Sequence, residues 1–239
     1  MKALKVIKEL FFPSGIKCIF CDAEISRENR YCVCGHCSPD FNTQFCLLCG
    51  KAIANEAIYC DDCKEGMRYN FDAARAPFVF GGNVQKVVHR LKYGGGKFLA
   101  AYMAEYMADT YYEGGWDADI ITFVPMEEKR MKARGYNQAM LLAQHLSDIL
   151  KKPCVTALRR DKHADNLAGM NRQQRAEAIK NTMSAIDGTD IKGKVVLLID
   201  DVMTTSATAN ECCRALRKLN PDKIYVITFA TSRSRPFLY

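Results

Sequence analysis

The 239-residue sequence lacks any apolar run near the roughly 18 residues that a membrane-spanning helix requires. Its first 12 residues interleave lysines with apolar residues, so the uninterrupted apolar core of a secretory signal peptide is missing as well. With 49% hydrophobic and 26% charged residues, the chain does not have the composition of a largely disordered protein. These absences predict a globular, cytoplasmic protein without a membrane span.

Two binding motifs are also missing. The run GGGK at residues 94–97 lacks the spacing Gly-x4-Gly-Lys-Ser/Thr, so a nucleotide-binding P-loop is excluded. The cysteine-rich region contains no long basic recognition helix of the kind that reads base sequence in DNA-binding zinc fingers. The formal net charge of +7 is nevertheless compatible with phosphate-rich ligands or nucleic acid.

Cysteine is abundant and unevenly placed. Of 12 cysteines, nine lie between Cys18 and Cys63, which predicts a separate N-terminal module at residues 1–66 and a second domain at residues 67–239. Eight of the nine form Cys-x2-Cys pairs, and two such pairs complete a tetrahedral S4 site for zinc. The pairs are Cys18/Cys21, Cys34/Cys37, Cys46/Cys49 and Cys60/Cys63. We therefore expect one or two structural Zn²⁺ sites, since disulfides are disfavoured in a reducing compartment.

The pairing of these cysteines is left open by the sequence. Consecutive pairs can share a metal, or the first pair can join the third in a cross-braced arrangement, and Cys32 can replace a neighbouring ligand. Gly50 follows Cys49 directly, where a knuckle around a metal requires an unusual backbone angle. The three remaining cysteines lie in apolar surroundings and are predicted to be buried thiols: Cys154, Cys212 and Cys213.

The rest of the chain alternates between strand and helix patterns. Strands are predicted at residues 73–80, 119–124, 155–158, 195–199 and 223–231, and helices at 84–91, 98–111, 138–150, 172–180 and 207–219. The run VVLLI at residues 195–199 is typical of a strand buried on both faces. We therefore predict an α/β domain with a mostly parallel sheet covered by helices, and ligands at the carboxyl ends of its strands.

The strongest chemical signal is the sequence VVLLIDDVMTTSATANE at residues 195–211. A buried strand leads into Asp200 and Asp201, small and hydroxyl residues follow, and then a helix begins. Free backbone N–H groups at a helix N-terminus bind anions, and small residues let the backbone approach a phosphate closely. The two acids suit sugar hydroxyls beside the phosphate, or a metal ion on a pyrophosphate. One segment can therefore hold a sugar phosphate.

This segment resembles the phosphoribosyl pyrophosphate motif of type I phosphoribosyltransferases, although Ser206 stands where that motif usually has glycine. Two further stretches resemble the ComF family, which joins a cysteine-rich zinc-ribbon module to a domain of this fold. They are HRLKYG at residues 89–94 and KRMKARGYNQ at residues 129–138, the latter expected to be a flexible loop that closes over the site. Residues 167–183 depart from the family, with Leu167 and Ala178 where Gln and Asn are expected.

The resemblance implies an enzyme that binds phosphoribosyl pyrophosphate with Mg²⁺ and transfers phosphoribosyl to an acceptor that the sequence does not identify. Catalytic roles fall to Asp200 and Asp201 on the ribose and to Arg130 and Arg134 on the leaving pyrophosphate. The expected ligand-binding residues are Lys92, Tyr93, Gly94, Asp200, Asp201, Met203, Thr204, Thr205, Ser206, Ala207 and Thr208. The resemblance also implies a link to DNA uptake in natural competence. A second hypothesis is therefore a non-catalytic accessory protein that binds single-stranded DNA and other competence proteins.

Overall fold

The computed structural model describes residues 16–25, 30–54, 57–93, 95–161 and 177–234. Its strands are β1 (Ile16–Lys17), β2 (Glu24–Ile25), β3 (Ala73–Arg75), β4 (Phe78–Val79), β5 (Ile120–Phe123), β6 (Leu158–Arg160), β7 (Met183–Ala185), β8 (Val195–Met203) and β9 (Lys223–Thr231). Its helices are α1 (Asp61–Lys64), α2 (Gly82–Tyr93), α3 (Leu99–Glu113), α4 (Glu128–Arg134), α5 (Gln138–Leu150) and α6 (Ala207–Arg217).

A five-stranded parallel sheet forms the centre of the body, in the order β3–β9–β8–β5, with β4 also paired to β9. The central strands β8 and β9 are mostly buried and largely apolar because helices cover them. Helices α3 and α5 pack on one another and on the sheet, whereas α6 packs on β8 and on the antiparallel pair β6–β7. The predicted parallel α/β sheet is confirmed.

Three strands differ clearly from their predicted bounds. The strand predicted at residues 155–158 begins only at Leu158 and continues to Arg160. The buried strand predicted at residues 195–199 continues to Met203, so Asp200 and Asp201 lie within β8 and not after it. The strand predicted at residues 73–80 is divided into β3 and β4 at Pro77, which has no N–H to donate to the sheet. The backbone oxygen of Pro77 instead accepts a hydrogen bond of 2.8 Å from the N–H of Asn42.

The helices were easier to predict, with one exception. Helix α5 has the predicted bounds because Asn137 caps its N-terminus, accepting hydrogen bonds from the N–H groups of Ala139 and Met140. The stretch at residues 129–138 is not a loop throughout, since α4 occupies most of it and ends at Gly135 in the left-handed conformation. The helix predicted at residues 172–180 lies largely outside the described residues.

The cysteine-rich module covers the edge of the sheet formed by β3 and β4. Backbone hydrogen bonds join the N–H of Ala74 to the oxygen of Leu48 and the N–H of Val79 to the oxygen of Asp40, at 2.9 and 2.8 Å. An uncovered edge would offer unpaired backbone groups to other chains, so the module protects it. Phe20 of the module enters the core of the body, with its ring 5.7 Å from that of Phe78. In the described part of the chain, no helix is long and apolar enough to cross a membrane.

Candidate metal centres and phosphate-binding cleft

The eight paired cysteines form two separate clusters. The first centre comprises Cys18, Cys21, Cys34 and Cys37, and the second centre comprises Cys46, Cys49, Cys60 and Cys63. Within each centre the ligand atoms all lie within 4.8 Å of one another. Consecutive pairs therefore share a centre, and the cross-braced alternative is wrong.

The sulfur spacing fits zinc. Four thiolates about 2.3 Å from a tetrahedral metal lie about 3.8 Å from one another. The Sγ atoms of Cys18 and Cys37 are 3.7 Å apart, those of Cys21 and Cys34 3.5 Å, and those of Cys49 and Cys60 3.5 Å. These separations are far longer than the roughly 2.05 Å of a disulfide bond. Both centres therefore have the donor set and spacing of structural zinc sites.

The electrostatic surroundings of two ligands favour the thiolate, which is the form that binds metal. A backbone hydrogen bond from His36 lowers the pKa of Cys34 to about 6. A hydrogen bond from the thiol of Cys49 lowers the pKa of Cys46 to about 4, and the same contact raises the pKa of Cys49. The two sulfurs therefore share one proton, which metal binding releases. The turn of the second centre is closed by the left-handed conformation predicted for Gly50, with φ of +71°.

The other cysteines lie outside both centres. Cys32 is buried and its thiol donates to the backbone oxygen of Lys17, so it does not replace a ligand. Cys212 and Cys213 are fully buried, as predicted. Cys154 is only half-buried and differs from the prediction, although its burial still raises the pKa of its thiol to about 11.

A cleft of about 220 Å³ opens at the carboxyl ends of β5 and β8. Both strands end at this edge because they are parallel neighbours, so residues far apart in sequence meet there. Its polar and charged lining residues are Lys92, Glu127, Arg130, Arg134, Asn137, Gln138, Arg160, Asp200, Asp201 and Thr208. The cleft brings together six of the predicted site residues: Lys92, Arg130, Arg134, Asp200, Asp201 and Thr208.

Two carboxyl groups and one ammonium group form the centre of the cleft. Lys92 reaches from the last turn of α2 to place its Nζ atom 2.5 Å from Oδ2 of Asp201. Burial, reinforced by the neighbouring Asp201, raises the pKa of Asp200 well above its usual range. The carboxylate form of Asp200 is therefore destabilised until a hydrogen-bond donor or a cation binds beside it.

The predicted phosphate loop lies between β8 and α6. Thr204 and Thr205 are half-buried, and Ser206 precedes the helix with φ of +62°, the left-handed conformation that glycine adopts more easily. Ala207 and Thr208 form the first turn of α6, where backbone N–H groups are free of partners within the helix. Met203 differs from the others because its side chain is buried and its backbone oxygen accepts a hydrogen bond from Thr231.

The cationic side of the site is formed by α4 and the residues that follow it. The Nε atom of Arg130 lies 3.6 Å from the carboxylate of Glu127, and NH1 of Arg134 donates to Oε1 of Gln138 at 2.7 Å. The guanidinium of Arg134 also stacks over the ring of Tyr93, 4.6 Å from its centroid. Tyr93 is exposed at the end of α2, and Gly94 lies outside the described residues.

Sequence reasoning did not assign four polar or charged residues of the cleft to the site: Glu127, Asn137, Gln138 and Arg160. Burial, with repulsion from Arg130, lowers the pKa of Arg160. The buried Nε atom of Arg160 and the buried Nε2 atom of Gln138 have no hydrogen-bond partner among the described residues. Buried donors without partners indicate a ligand that carries acceptor oxygens. The only sequence signal near Arg160 was the short strand predicted at residues 155–158, which ends two residues before it.

A second cavity of about 480 Å³ adjoins the first. It is lined by Lys92, Tyr93, Gly95, Arg130, Ala133, Arg134 and Tyr136. The ring of Tyr136 is buried beneath Lys97, whose Nζ atom lies 4.8 Å from its centroid. No acidic residue is among these described lining residues, so this cavity favours an anionic ligand.

Family models match both parts of the chain. Residues 136–238 match the family "Phosphoribosyl transferase domain", and residues 7–77 match the family "PHF5-like protein". Competence protein F of Haemophilus influenzae is 39% identical over 105 residues, which is 43% of this chain and 46% of that protein. The chain thus spans about half the length of this relative.

Other relatives match over a larger part of the chain. Competence protein ComFC of Bacillus subtilis is 23% identical over 219 residues, 83% of this chain and 88% of that protein. Among solved structures, purine phosphoribosyltransferase from Pyrococcus horikoshii is 19% identical, with a TM-score of 0.36, covering 54% of this chain and 70% of that one.

The body has the type I phosphoribosyltransferase fold, on the basis of its family match and its parallel sheet with a cleft at the strand ends. The two cysteine centres form a zinc-ribbon-like module ahead of it. This order of parts, together with the similarity to competence proteins F and ComFC, supports membership of the ComF family.

Proposed function

We propose that this protein binds phosphoribosyl pyrophosphate with Mg²⁺ in the cleft at the ends of β5 and β8, and that it transfers the phosphoribosyl group to a nucleophile. One observation carries the proposal. The acid pair Asp200 and Asp201 and the N-terminus of α6 lie on the strand side of the cleft. Four cations from other elements also line it: Lys92, Arg130, Arg134 and Arg160.

The parts of the ligand match the parts of the cleft. The 5′-phosphate is assigned to the backbone N–H groups and hydroxyls of residues 204–208, because a helix N-terminus favours an anion. The ribose hydroxyls are assigned to Asp200 and Asp201, whose carboxylates accept hydrogen bonds. Carboxylate and pyrophosphate oxygens are also the ligands that Mg²⁺ prefers, and the ion would neutralise part of the pyrophosphate charge.

Transfer requires the bond between ribose C1 and the pyrophosphate oxygen to break, with its electron pair leaving on pyrophosphate. A lone pair of the nucleophile forms the new bond to C1, and the nucleophile then loses its proton. Arg130, Arg134 and Arg160 line the cleft, and in this proposal they stabilise the negative charge that develops on the leaving group. The unpartnered donors of Arg160 and Gln138 support this assignment because pyrophosphate supplies acceptor oxygens.

Ligand-induced stabilisation tests binding directly. Phosphoribosyl pyrophosphate with Mg²⁺, at about 100 times its Kd, should stabilise the protein by about 2.7 kcal/mol. That corresponds to a rise in Tm of about 5–10 °C for a chain of this size. The double variant Asp200→Asn/Asp201→Asn should show no rise. The control Asp190→Asn changes an exposed acid that pairs only with Lys194 among the described contacts, and should respond like the wild type.

Absence of any stabilisation of the wild type at saturating ligand and Mg²⁺ would rule out the proposed binding. Turnover is measured separately as release of pyrophosphate, with ammonia and a panel of amines and bases as acceptors. The stretch expected to contact the acceptor, residues 167–183, lies largely outside the described residues. We further propose a cytoplasmic location, where cysteines remain reduced and available to zinc.

A second candidate function is the binding of single-stranded DNA. Tyr93, which lines the second cavity together with three cations, exposes 66% of its surface, and Phe98, which follows Lys97, exposes 57%. Exposed aromatic rings near cations can stack nucleotide bases. Fluorescence anisotropy with a thymine oligonucleotide should show binding that weakens steeply with salt. Tyr93→Ser and Phe98→Ser should each weaken binding about tenfold. Lack of binding at low salt would exclude this function.

The relatives named competence proteins support a role in DNA uptake for this chain. We expect deletion of its gene in a naturally transformable host to lower the transformation frequency. Complementation with Asp200→Asn/Asp201→Asn then separates the two functions. It fails if the phosphoribosyl cleft is required, and it succeeds if DNA binding alone is sufficient.

A further inference from the structure

The last turn of α2 lies between the first zinc centre and the phosphoribosyl cleft. Arg90 and Lys92 are two residues apart, so their side chains leave the helix on nearly opposite sides. Arg90 places NH2 2.9 Å from the carboxylate of Asp22 and donates from NH1 to the backbone oxygen of Ile19 at 3.1 Å. Lys92 extends in the other direction to Asp201. One helical turn thus contacts both sites.

Both partners of Arg90 belong to the turn that carries the first pair of zinc ligands. Ile19 lies between Cys18 and Cys21, and Asp22 follows Cys21 directly. Asp22 has a φ of +62°, and its N–H bonds to the oxygen of Cys18 at 2.9 Å. A non-glycine residue in this conformation is strained and persists only where its surroundings hold it. The position of the Asp22 carboxylate therefore depends on the metal that holds the turn.

The end of α2 is packed closely on the cleft side as well. The hydroxyl of Tyr136 donates to the backbone oxygen of Leu91. Gly96 lies so near this turn that a Cβ there would be 2.9 Å from the backbone oxygen of Arg90. These contacts hold the last turn of α2 as one unit. A displacement of Arg90 therefore also moves Lys92 relative to Asp201.

We propose that Arg90 is a positioning residue that couples the first zinc centre to Lys92, so that zinc in this centre raises the affinity of the cleft for a pyrophosphate-bearing ligand. The identity of that ligand rests on the proposed function. The second centre does not act by this route, because the described hydrogen bonds of its first turn with the body are made at strand β3, through the backbone oxygens of Leu47 and Leu48.

The variant Arg90→Gln tests the coupling in the full-length, zinc-loaded protein. Arg30→Gln is its matched control, since Arg30 joins the same module to α3 through Glu105 at 2.6 Å and does not contact α2 in the described structure. We measure hydrogen exchange of the amides in α2 and calorimetric binding of phosphoribosyl pyrophosphate with Mg²⁺. Arg90→Gln should exchange faster in the last turn of α2 and bind about fivefold more weakly. Arg30→Gln should match the wild type in both.

Three further variants distinguish positioning from a general loss of stability. Asp22→Asn breaks the same ion pair from the module side, so its effect should not add to that of Arg90→Gln. Arg90→Lys retains the charge and should recover part of the affinity. In a Lys92→Met background, Arg90→Gln should cause no further loss of affinity, because its effect passes through Lys92.

Unchanged exchange in both Arg90→Gln and Asp22→Asn overturns the inference, whatever the ligand. An equal loss of affinity with and without Lys92 also overturns it, since the effect would then be general. If the wild type does not bind phosphoribosyl pyrophosphate, the proposed function fails on its own. In that case, hydrogen exchange of the α2 amides still tests whether the first centre orders α2, provided that the protein holds two zinc ions per chain.

Discussion

Replacing Gly50 by alanine should damage the contact between the second zinc centre and the sheet. Gly50 has a φ of +71°, and a Cβ at this position would lie 2.4 Å from the backbone oxygen of Ala74. The left-handed backbone costs a non-glycine residue about 1–2 kcal/mol. Relieving the overlap with β3 adds about 1–3 kcal/mol, as in other overpacked sites. We therefore expect a loss of about 2–5 kcal/mol out of a typical total of about 5–15 kcal/mol.

Two other glycines provide matched controls. Gly188 has a φ of +80° but open space around its missing side chain, so Gly188→Ala should lose only about 1–2 kcal/mol to backbone strain. Gly35 lies between ligands of the first centre, with no positive φ and no atom within 4 Å of an added Cβ among the described residues. Gly35→Ala should leave stability unchanged or raise it by about 0.5 kcal/mol.

The assay is urea unfolding of the three variants at constant zinc, with metal content measured by mass spectrometry. If the turn moves away from β3 to relieve the overlap, Gly50→Ala should also retain less zinc. The reasoning is refuted if Gly50→Ala is no less stable than Gly188→Ala, because the close approach to Ala74 would then contribute nothing.

Three other results are expected. The wild type should bind two zinc ions per chain, and Cys46→Ser, which removes a ligand of the second centre only, should retain one by elemental analysis. Because burial raises the pKa of Asp200, the folded state holds a proton that the unfolded chain releases, and stability falls as pH rises through the raised pKa. Without Mg²⁺, Asp200→Asn should therefore have a higher Tm than the wild type at about pH 8, and the difference should vanish below about pH 4. Asn137→Ala removes the cap of α5 and a 2.9 Å hydrogen bond to the oxygen of Val124, which should cost about 2 kcal/mol in chemical unfolding.

Elements set by local pattern were predictable from the sequence. The apolar run at residues 195–199 indicated a buried strand because a short, continuous run of valine, leucine and isoleucine is typical of a strand covered on both faces. Helix α5 had a clear apolar periodicity and an Asn at its cap position. The cysteine pairs indicated zinc because ligand spacing within a turn is a local property.

Properties that depend on distant parts of the chain were not predictable in this way. The strand β8 continues through Asp200 and Asp201 because β9 supplies partners as far as Met203. Arg160 joins the cleft because β6 pairs with β7, and Gln138 joins it because Asn137 fixes the start of α5 against Val124. The periodicity or spacing of residues within one segment does not show which distant segments that segment contacts.

The sequence alone determined the residue types available at each end of the chain: eight paired thiols for zinc, and an acid pair followed by a turn suited to phosphate. The packing of distant segments determines which thiols share a centre and which cations meet the acid pair. It also brings one turn of α2 into contact with both sites. The physical reason is the range of the interactions. Ligand spacing and helix capping act over a few residues, whereas the contacts of Arg90 and Lys92 join segments about 70 and 110 residues away.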